Sequence, residues 1–300
     1  METVYLTHCE NLSLPNVEPC VMALGFFDGV HIGHQRVIEM AKQKAVEKNV
    51  KVAVMTFFPH PKAVLNEGKE KVNYLTPIEM KQEIFDKLGI DKLYVIQFDI
   101  AFAGLSPQGF IDQYVTGLGA VHVVAGFDFT YGYLGRGNMD TVTVDSRGNF
   151  DVTTIPKVEY RGQKISSTLI RELLSRGEVQ TIASLIGDAY ETRGEMVHMS
   201  RSRRRGSIVT WVATDPYYTL PANGLYKIEA ILDNHIYQGI TYICSREDGS
   251  VVTEMELFDF HQKLHGKTIK IKWLKRVSEL NFMQRSFHIH HTKRMNKMTQ

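Results

Sequence analysis

Short uninterrupted apolar runs alternate with amphipathic stretches along the first 190 or so residues. CVMALG (20–25) predicts a buried strand, and HQRVIEMAKQKAVEK (34–48), apolar at helical spacing, predicts a helix. VKVAVMTF (50–57), DKLYVIQF (91–98) and AVHVVAG (120–126) predict three more strands. TPIEMKQEIFDKLG (76–89) and SPQGFIDQYVTGLG (106–119) predict further helices, each closed by glycine. Thr76, Pro77 and Glu79 supply an N-cap, a first-position proline and a capping-box acid, and Ser106 with Pro107 repeats the device. Helices around 167–175 and 178–186 close this part. Continuous apolar strands separated by helices predict an α/β fold, a parallel sheet with helices on both faces.

From about residue 190 the period changes to that of strands. SIVTWVA (207–213), LYKIEAIL (225–232), IYQGITYIC (236–244), VVTEMELFDF (251–260) and TIKIKWLKR (268–276) are linked by the turn-forming PANG, LDNH, REDGS and HQKLHGK. Such even spacing predicts a small antiparallel β-barrel, followed after 277 by a helix or tail. The boundary then falls at 188, giving domains 1–188 and 189–300. A length of 300 residues suits two domains, and 43% hydrophobic residues excludes wholesale disorder.

Charge and cysteine usage narrow the classes. With 35 Lys+Arg against 33 Asp+Glu the net charge is +2, which gives no general case for a nucleic-acid binder. Locally the balance fails: Arg201, Arg203, Arg204 and Arg205 cluster, and Arg285, Lys293, Arg294 and Lys297 occur in an acid-free tail. The bland reading of both is solvated surface, as it is for the histidines of HIHH (288–291). Cys9, Cys20 and Cys244 are odd in number, far apart and without a CxxC pair, so three reduced thiols are expected. No apolar run reaches the length of a membrane span, and METVYLTHCENLSLPN lacks the features of a signal peptide, so a cytoplasmic protein is expected.

The strongest chemical signal is GFFDGVHIGH (25–34), where the first strand turns into the first helix. That is the carboxyl edge of a parallel sheet, where such folds place ligands. Gly25 and Gly29 let the backbone approach a phosphate, and the helix start offers free N–H groups and a positive dipole end. His31 and His34, three apart, point to one side of the first turn as donors to phosphate oxygens. Gly33 between them leaves room for a flat base. A lone histidine pair at this spacing is usually incidental. Joined to a strand, a glycine turn and a helix start, it is a specific signal.

GFFDGVHIGH resembles the HxGH motif of the nucleotidyltransferase superfamily in the wording of prokaryotic FAD synthetases. Three further stretches agree in order. TFFPHP (56–61) resembles the family's flavin-contacting TFxPHP loop, AGFDFTYGYLGRGN (125–138) its GxDFxFGxxxxGN segment, and KISSTLIRELLSRGEV (164–179) its ISSTxIR stretch. The similarity runs from about 18 to 188. It implies a Rossmann-like domain that transfers the adenylyl group of MgATP to FMN, giving FAD and pyrophosphate. The implied catalytic residues are His31, His34, Asp128, Ser167 and Arg171. Gly25, Phe26, Asp28, Gly29, Gly33, Ser166 and Thr168 would meet the nucleotide. Phe58, Pro59, His60, Pro61, Phe127 and Phe129 would meet the flavin. Chemically, the proline-rich loop suits a wall for a planar ring. Asp128, just past a strand, suits either flavin geometry or Mg²⁺. One of Ser166, Ser167 and Thr168 caps the following helix, and Arg171 one turn in suits the β- and γ-phosphates.

The family is usually bifunctional, with a riboflavin kinase barrel that first makes FMN, and this chain carries a degenerate version. LPANGLY (220–226) resembles the kinase's VPANGVY turn, and TEMELFDFHQKLHGKTIKIKWLKR (253–276) its EVHLLDF-to-FLKR segment. Glu254 falls at the position of the family's catalytic base. The metal- and nucleotide-holding GFPTAN has become GSIVTWVA (206–213): Thr210 survives, while the proline and asparagine are Val209 and Val212. NIGxRPT is replaced by TYICSRE (241–247). The expectation is an FMN adenylyltransferase whose barrel has lost kinase activity. Three alternatives stand beside it: an enzyme that still phosphorylates riboflavin, an HxGH enzyme with another acceptor, and a non-catalytic flavin-binding regulator that contacts RNA through its arginines.

Overall fold

The computed structural model describes residues 1–8, 17–66, 72–202, 206–245, 251–260 and 266–277. Cys9, the cluster Arg203–Arg205, the last two residues of TYICSRE and everything after 277, the HIHH segment included, lie outside them. The chain divides into two compact units. The first comprises Met1–Arg171, Leu185–Gly187 and Tyr217–Thr219; the second comprises Glu172–Ser184, Asp188–Pro216 and the described residues from Leu220 on.

The first unit is built on a six-stranded parallel sheet of β1 (Glu2–Leu6), β2 (Cys20–Leu24), β3 (Lys51–Phe58), β4 (Lys92–Gln97), β5 (Ala120–Gly126) and β6 (Asp151–Ile155). The strand order is β1-β4-β3-β2-β5-β6. β1 and β6 are edge strands that the sequence pattern did not reveal, because both are short and only half buried. Every residue of β2 is buried. Successive side chains alternate between two cores: Val21 and Ala23 join α1 (Ile32–Lys48) and α2 (Ile78–Lys87) on one face. Cys20, Met22 and Leu24 join Phe110, Tyr114 and Leu118 on the other. The chain leaves β2 in one direction through β3 and β4, then returns to its other side as β5. The topological switch point therefore lies at the carboxyl ends of β2 and β5, where an open α/β sheet leaves a crevice.

The helix expected over 106–119 is two pieces, an α-turn Pro107–Phe110 capped by Ser106 Oγ and a π-helix Ile111–Thr116. Its wide turn buries Tyr114 and Val115 against the sheet. Thr76 does not act as the expected cap. α2 starts without a side-chain cap, and the Thr76 hydroxyl instead accepts the Gly29 N–H at 3.1 Å.

Helices α3 (Ser167–Arg176) and α4 (Val179–Ile186) follow. The second unit's six antiparallel strands close into a barrel: β7 (Tyr190–Arg201), β8 (Ile208–Thr214), β9 (Gly224–Leu232), β10 (His235–Ser245), β11 (Val251–Leu257) and β12 (Thr268–Val277). They run in the order β7-β8-β11-β10-β9-β12. The two-residue turn Asp233–Asn234 has both φ positive, 46° and 64°, so LDNH forms a hairpin of primed type whose twist matches its strands. Trp273 is fully buried, its indole N–H donating to Thr192 Oγ1 at 3.0 Å. No helix among the described residues is long and apolar enough to cross a membrane.

Candidate functional site

Residues 25–31 form a tight loop between β2 and α1 in which Phe27, Gly29 and Val30 have positive φ of 55°, 84° and 35°. For phenylalanine and a β-branched valine this conformation is costly, so the surroundings must hold it. Asp28 is the main tether. Its carboxylate, 2% exposed, accepts the N–H of Leu75 at 3.0 Å and of Thr76 at 3.0 Å, and pairs with Arg171 Nη2 at 2.5 Å. Ser167 Oγ donates to the Asp28 carbonyl at 2.8 Å. One buried acid thus ties the loop to the head of α2 and the first turn of α3.

At the far end of the loop the imidazoles of His31 and His34 stack, centroids 3.6 Å apart and planes at 15°. His31 Nδ1 accepts the His34 N–H at 3.2 Å and so caps α1. In a neutral ring an accepting Nδ1 leaves the proton on Nε2, so His31 presents an N–H donor. Burial, followed by the Lys164 charge, brings the His31 pKa down to about 4. Burial, then His31 and Lys81, holds His34 well below the usual histidine range. Both rings are therefore neutral at physiological pH, and His34 Nδ1 is buried without a partner among the described residues.

The pair has a consequence for stability. A histidine whose folded pKa lies below its unfolded value of about 6.5 takes up a proton first in the unfolded chain, so stability is full above that value and falls as pH drops toward 4. For His31 alone the loss between pH 7 and pH 5 is about 2 kcal/mol. Urea midpoints at those two pH values should show a drop that shrinks in His31→Asn; an equal drop in both proteins would show that the ring is not held neutral.

A cavity of about 990 Å³ opens beside the loop, at the switch point of the sheet. Gly25, Phe26, His31, Gly33, His34, Phe127, Asp128, Phe129, Ser166, Ser167 and Thr168 all line it, as does Pro61. Phe57, Phe98, Phe102 and Tyr131 add an aromatic, largely apolar share to its lining. Ser166 Oγ accepts the Leu169 N–H at 3.2 Å and is the cap of α3, while the Thr168 side chain is exposed. Asp128 forms an ion pair with Lys164, whose ammonium sits 4.7 Å from the centre of the Phe127 ring. Among the described residues no three His, Cys, Asp or Glu side chains group closely enough to hold a metal ion.

Several expected residues stand elsewhere. Asp28, Gly29 and Arg171 are not on the cavity wall: Asp28 and Arg171 form the ion pair beneath the loop, and the Gly29 N–H is taken by Thr76. Phe58, Pro59 and His60 also lie off the wall. Strand alternation turns Phe57 toward the cavity and Phe58 away, and His60 packs edge-on against Phe26 at 4.5 Å while its Nδ1 caps the short helix Pro61–Leu65. Gly33, on the cavity wall, meets a second demand beside the one its spacing suggested. A Cβ there would lie 3.1 Å from the His31 ring, so the glycine accommodates the histidine.

Three residues escape a reading of the sequence alone. Phe57 lies in the TFFPHP stretch, and only the pleat of β3 turns it, rather than Phe58, to the cavity. Lys164, at the head of the KISSTLIR stretch, has the look of an ordinary surface lysine. Lys81, on the polar-reading helix α2, is 2% exposed, and only the fold reveals it. Cys20 offers no chemistry, since burial pushes its thiol up to about 12.

In the barrel, Thr210 and Val212 face the interior, at 0% and 5% exposure. Glu254 pairs across the strands with Trp211 and accepts its indole N–H at 3.2 Å.

Comparison with known proteins agrees with both architectures. The pattern of the FAD synthetase family matches residues 14–169, and that of riboflavin kinase matches 186–285. The bifunctional riboflavin kinase/FMN adenylyltransferase of Bacillus subtilis is 42% identical over 291 residues, covering 94% of this chain and 92% of the relative. The protein of the same name from Listeria monocytogenes is 39% identical, covering 91% and 88%. Among solved structures, one described as a macrolide-efflux protein from Streptococcus pneumoniae superposes with a TM-score of 0.82 at 28% identity, covering 92% of this chain and 91% of that one. With an FAD synthetase domain, a closed barrel of riboflavin-kinase type and relatives similar over nearly their whole length, the chain belongs to the bacterial bifunctional riboflavin kinase/FMN adenylyltransferase family and is a nucleotidyltransferase enzyme.

Proposed function

We propose that domain 1–188 catalyses attack of an FMN phosphate oxygen on the α-phosphorus of MgATP, forming FAD and releasing pyrophosphate, and that domain 189–300 no longer phosphorylates riboflavin. The observation that carries the first part is the cavity of about 990 Å³, which joins the His31–His34 turn to an aromatic, largely apolar lining. Its size is at the upper end for ligand pockets, roughly 300–1,000 Å³, which suits a nucleotide and a flavin side by side. In-line transfer of this kind needs alignment and charge stabilisation rather than a covalent nucleophile. His31 donates its Nε2–H to the phosphates as charge develops. His34, stacked on it, fixes the ring plane. Ser167 and Thr168 stand at the phosphate end, and Lys164 with Asp128 at the mouth. Phe57, Pro61, Phe127 and Phe129 enclose the isoalloxazine. Arg171 acts from beneath the loop through Asp28. Mg²⁺ arrives with ATP as part of the substrate.

For the barrel, the supporting observation is that Val212 occupies the interior position next to Thr210 and brings no oxygen to bind a cation. Glu254 is in addition engaged by Trp211. The second reading, a working kinase, draws on the closed barrel, on Thr210 and Glu254, and on the names of the relatives.

The two readings separate in one experiment: purified protein is incubated with MgATP and either FMN or riboflavin, and the flavins are separated. FAD from FMN and no phosphorylated product from riboflavin is the expected result. Rapid FMN formation would overturn the loss of kinase activity. Absence of FAD, with salt-dependent RNA binding in its place, would favour the regulatory alternative.

A further inference from the structure

Lys81 is a buried cation that no step above uses. Its Nζ donates to the Phe26 carbonyl at 2.6 Å and stands 4.1 Å from the centre of the Phe26 ring. Thr56 Oγ1 donates to the same carbonyl at 2.9 Å. The ammonium thus grips residue 26 by both peptide and ring, immediately before the three positive-φ residues of the loop. A buried lysine is costly, and exchanging a buried charge for an apolar side chain of similar shape is often neutral or stabilising. A carbonyl needs only a neutral donor, and Thr56 already provides one. What the lysine adds is charge. Within the loop the ionised group is Asp28, an anion balanced by Arg171, and both histidines at its far end are neutral.

We infer that Lys81 is a positioning residue for adenylyl transfer: its ammonium fixes the Phe26 peptide at the root of the loop and lends the loop the positive potential that its neutral histidines lack. This deepens the adenylyl-transfer reading and rests on it. The groups that act on Lys81 or feel its charge are Asp28 in the loop, Arg171 on α3, His34 on α1 and His60 beside Phe26. Burial brings the ammonium down to about 8, against a partial opposing pull from Asp28. The loop therefore loses this charge as pH rises through that value.

The test compares wild type with Lys81→Met and Lys81→Arg in FAD formation from about pH 6.5 to about 9.5, beside thermal melting. The expected result has four parts. Lys81→Met lowers kcat by about 10–100-fold at neutral pH, with KM for FMN within about threefold and melting unchanged or raised. Lys81→Arg recovers kcat to within about fivefold of wild type. Wild-type kcat declines above about pH 8. That decline is absent from both variants, because neither carries an ammonium that deprotonates there.

A Lys81→Met kcat within about twofold of wild type would overturn the proposal. So would an alkaline decline unchanged in Lys81→Met, or a loss of activity that merely follows a lowered melting temperature and is not recovered by arginine. If wild type itself makes no FAD, the adenylyl-transfer reading has failed, and calorimetric titration with MgATP then judges the lysine separately. Affinity about tenfold weaker in Lys81→Met supports its role toward phosphate, and equal affinity overturns it.

Discussion

His31→Asn is expected to lower kcat for FAD formation by about 10²–10³-fold while leaving the protein folded. The choice of asparagine separates two jobs the imidazole does. His31 Nδ1 accepts the His34 N–H at the start of α1, and an asparagine oxygen can take over that cap. Nothing in asparagine replaces the Nε2–H that the neutral imidazole carries. The donor matters because charge builds on the phosphate oxygens as pyrophosphate departs, and a fixed donor in a partly enclosed site stabilises that charge without reorganising. A neutral ring is well matched to this role. The Nδ1 contact keeps its proton on Nε2, and no protonation step intervenes as pH varies near neutrality. Steady-state rates with FMN and MgATP, beside a melting curve, provide the measurement. Turnover within a few-fold of wild type would remove His31 from the chemistry.

Asp28→Ala has the largest expected effect on stability, about 3 kcal/mol. The substitution strands the N–H groups of Leu75 and Thr76, which together make three contacts to the carboxylate, and removes the partner of Arg171. The Arg171 side chain is 33% exposed and water can partly replace its lost partner, which places the cost at the lower end for a broken buried pair. For a unit of this size the loss corresponds to about 6–12 °C in melting temperature. FAD formation should fall with it even below the melting point, because the positive-φ loop loses its main tether. A melting temperature within about 2 °C of wild type would show that the loop is held by other means.

The parts legible in the sequence were those with short-range causes. The four central strands announced themselves as unbroken apolar runs, and the HxGH turn by its glycines between a strand and a helix. The barrel was visible as alternation with turn residues between strands. What escaped depended on contacts across the fold. Asp28 reads as one more acid in a glycine loop until Arg171, 143 positions later, is brought against it. Lys81 reads as the polar side of an amphipathic helix, and only its packing beneath Phe26, 55 positions away, shows it buried. Phe57 and Phe58 are chemically equal, and the pleat of β3 alone assigns one to the cavity. Thr76 had the sequence of a cap, yet a stronger claim on its hydroxyl came from Gly29.

The contact between Gly33 and the His31 ring bears on how such enzymes can be re-engineered. Under the proposed adenylyl transfer, a larger residue at 33 invites use as a way to trim the nucleotide side of the cavity and alter which base is accepted. At 3.1 Å from the imidazole, its first added carbon presses on the His31 ring. Selectivity sought at that position is therefore coupled to turnover from the outset, and base preference is better altered from a wall that does not touch His31.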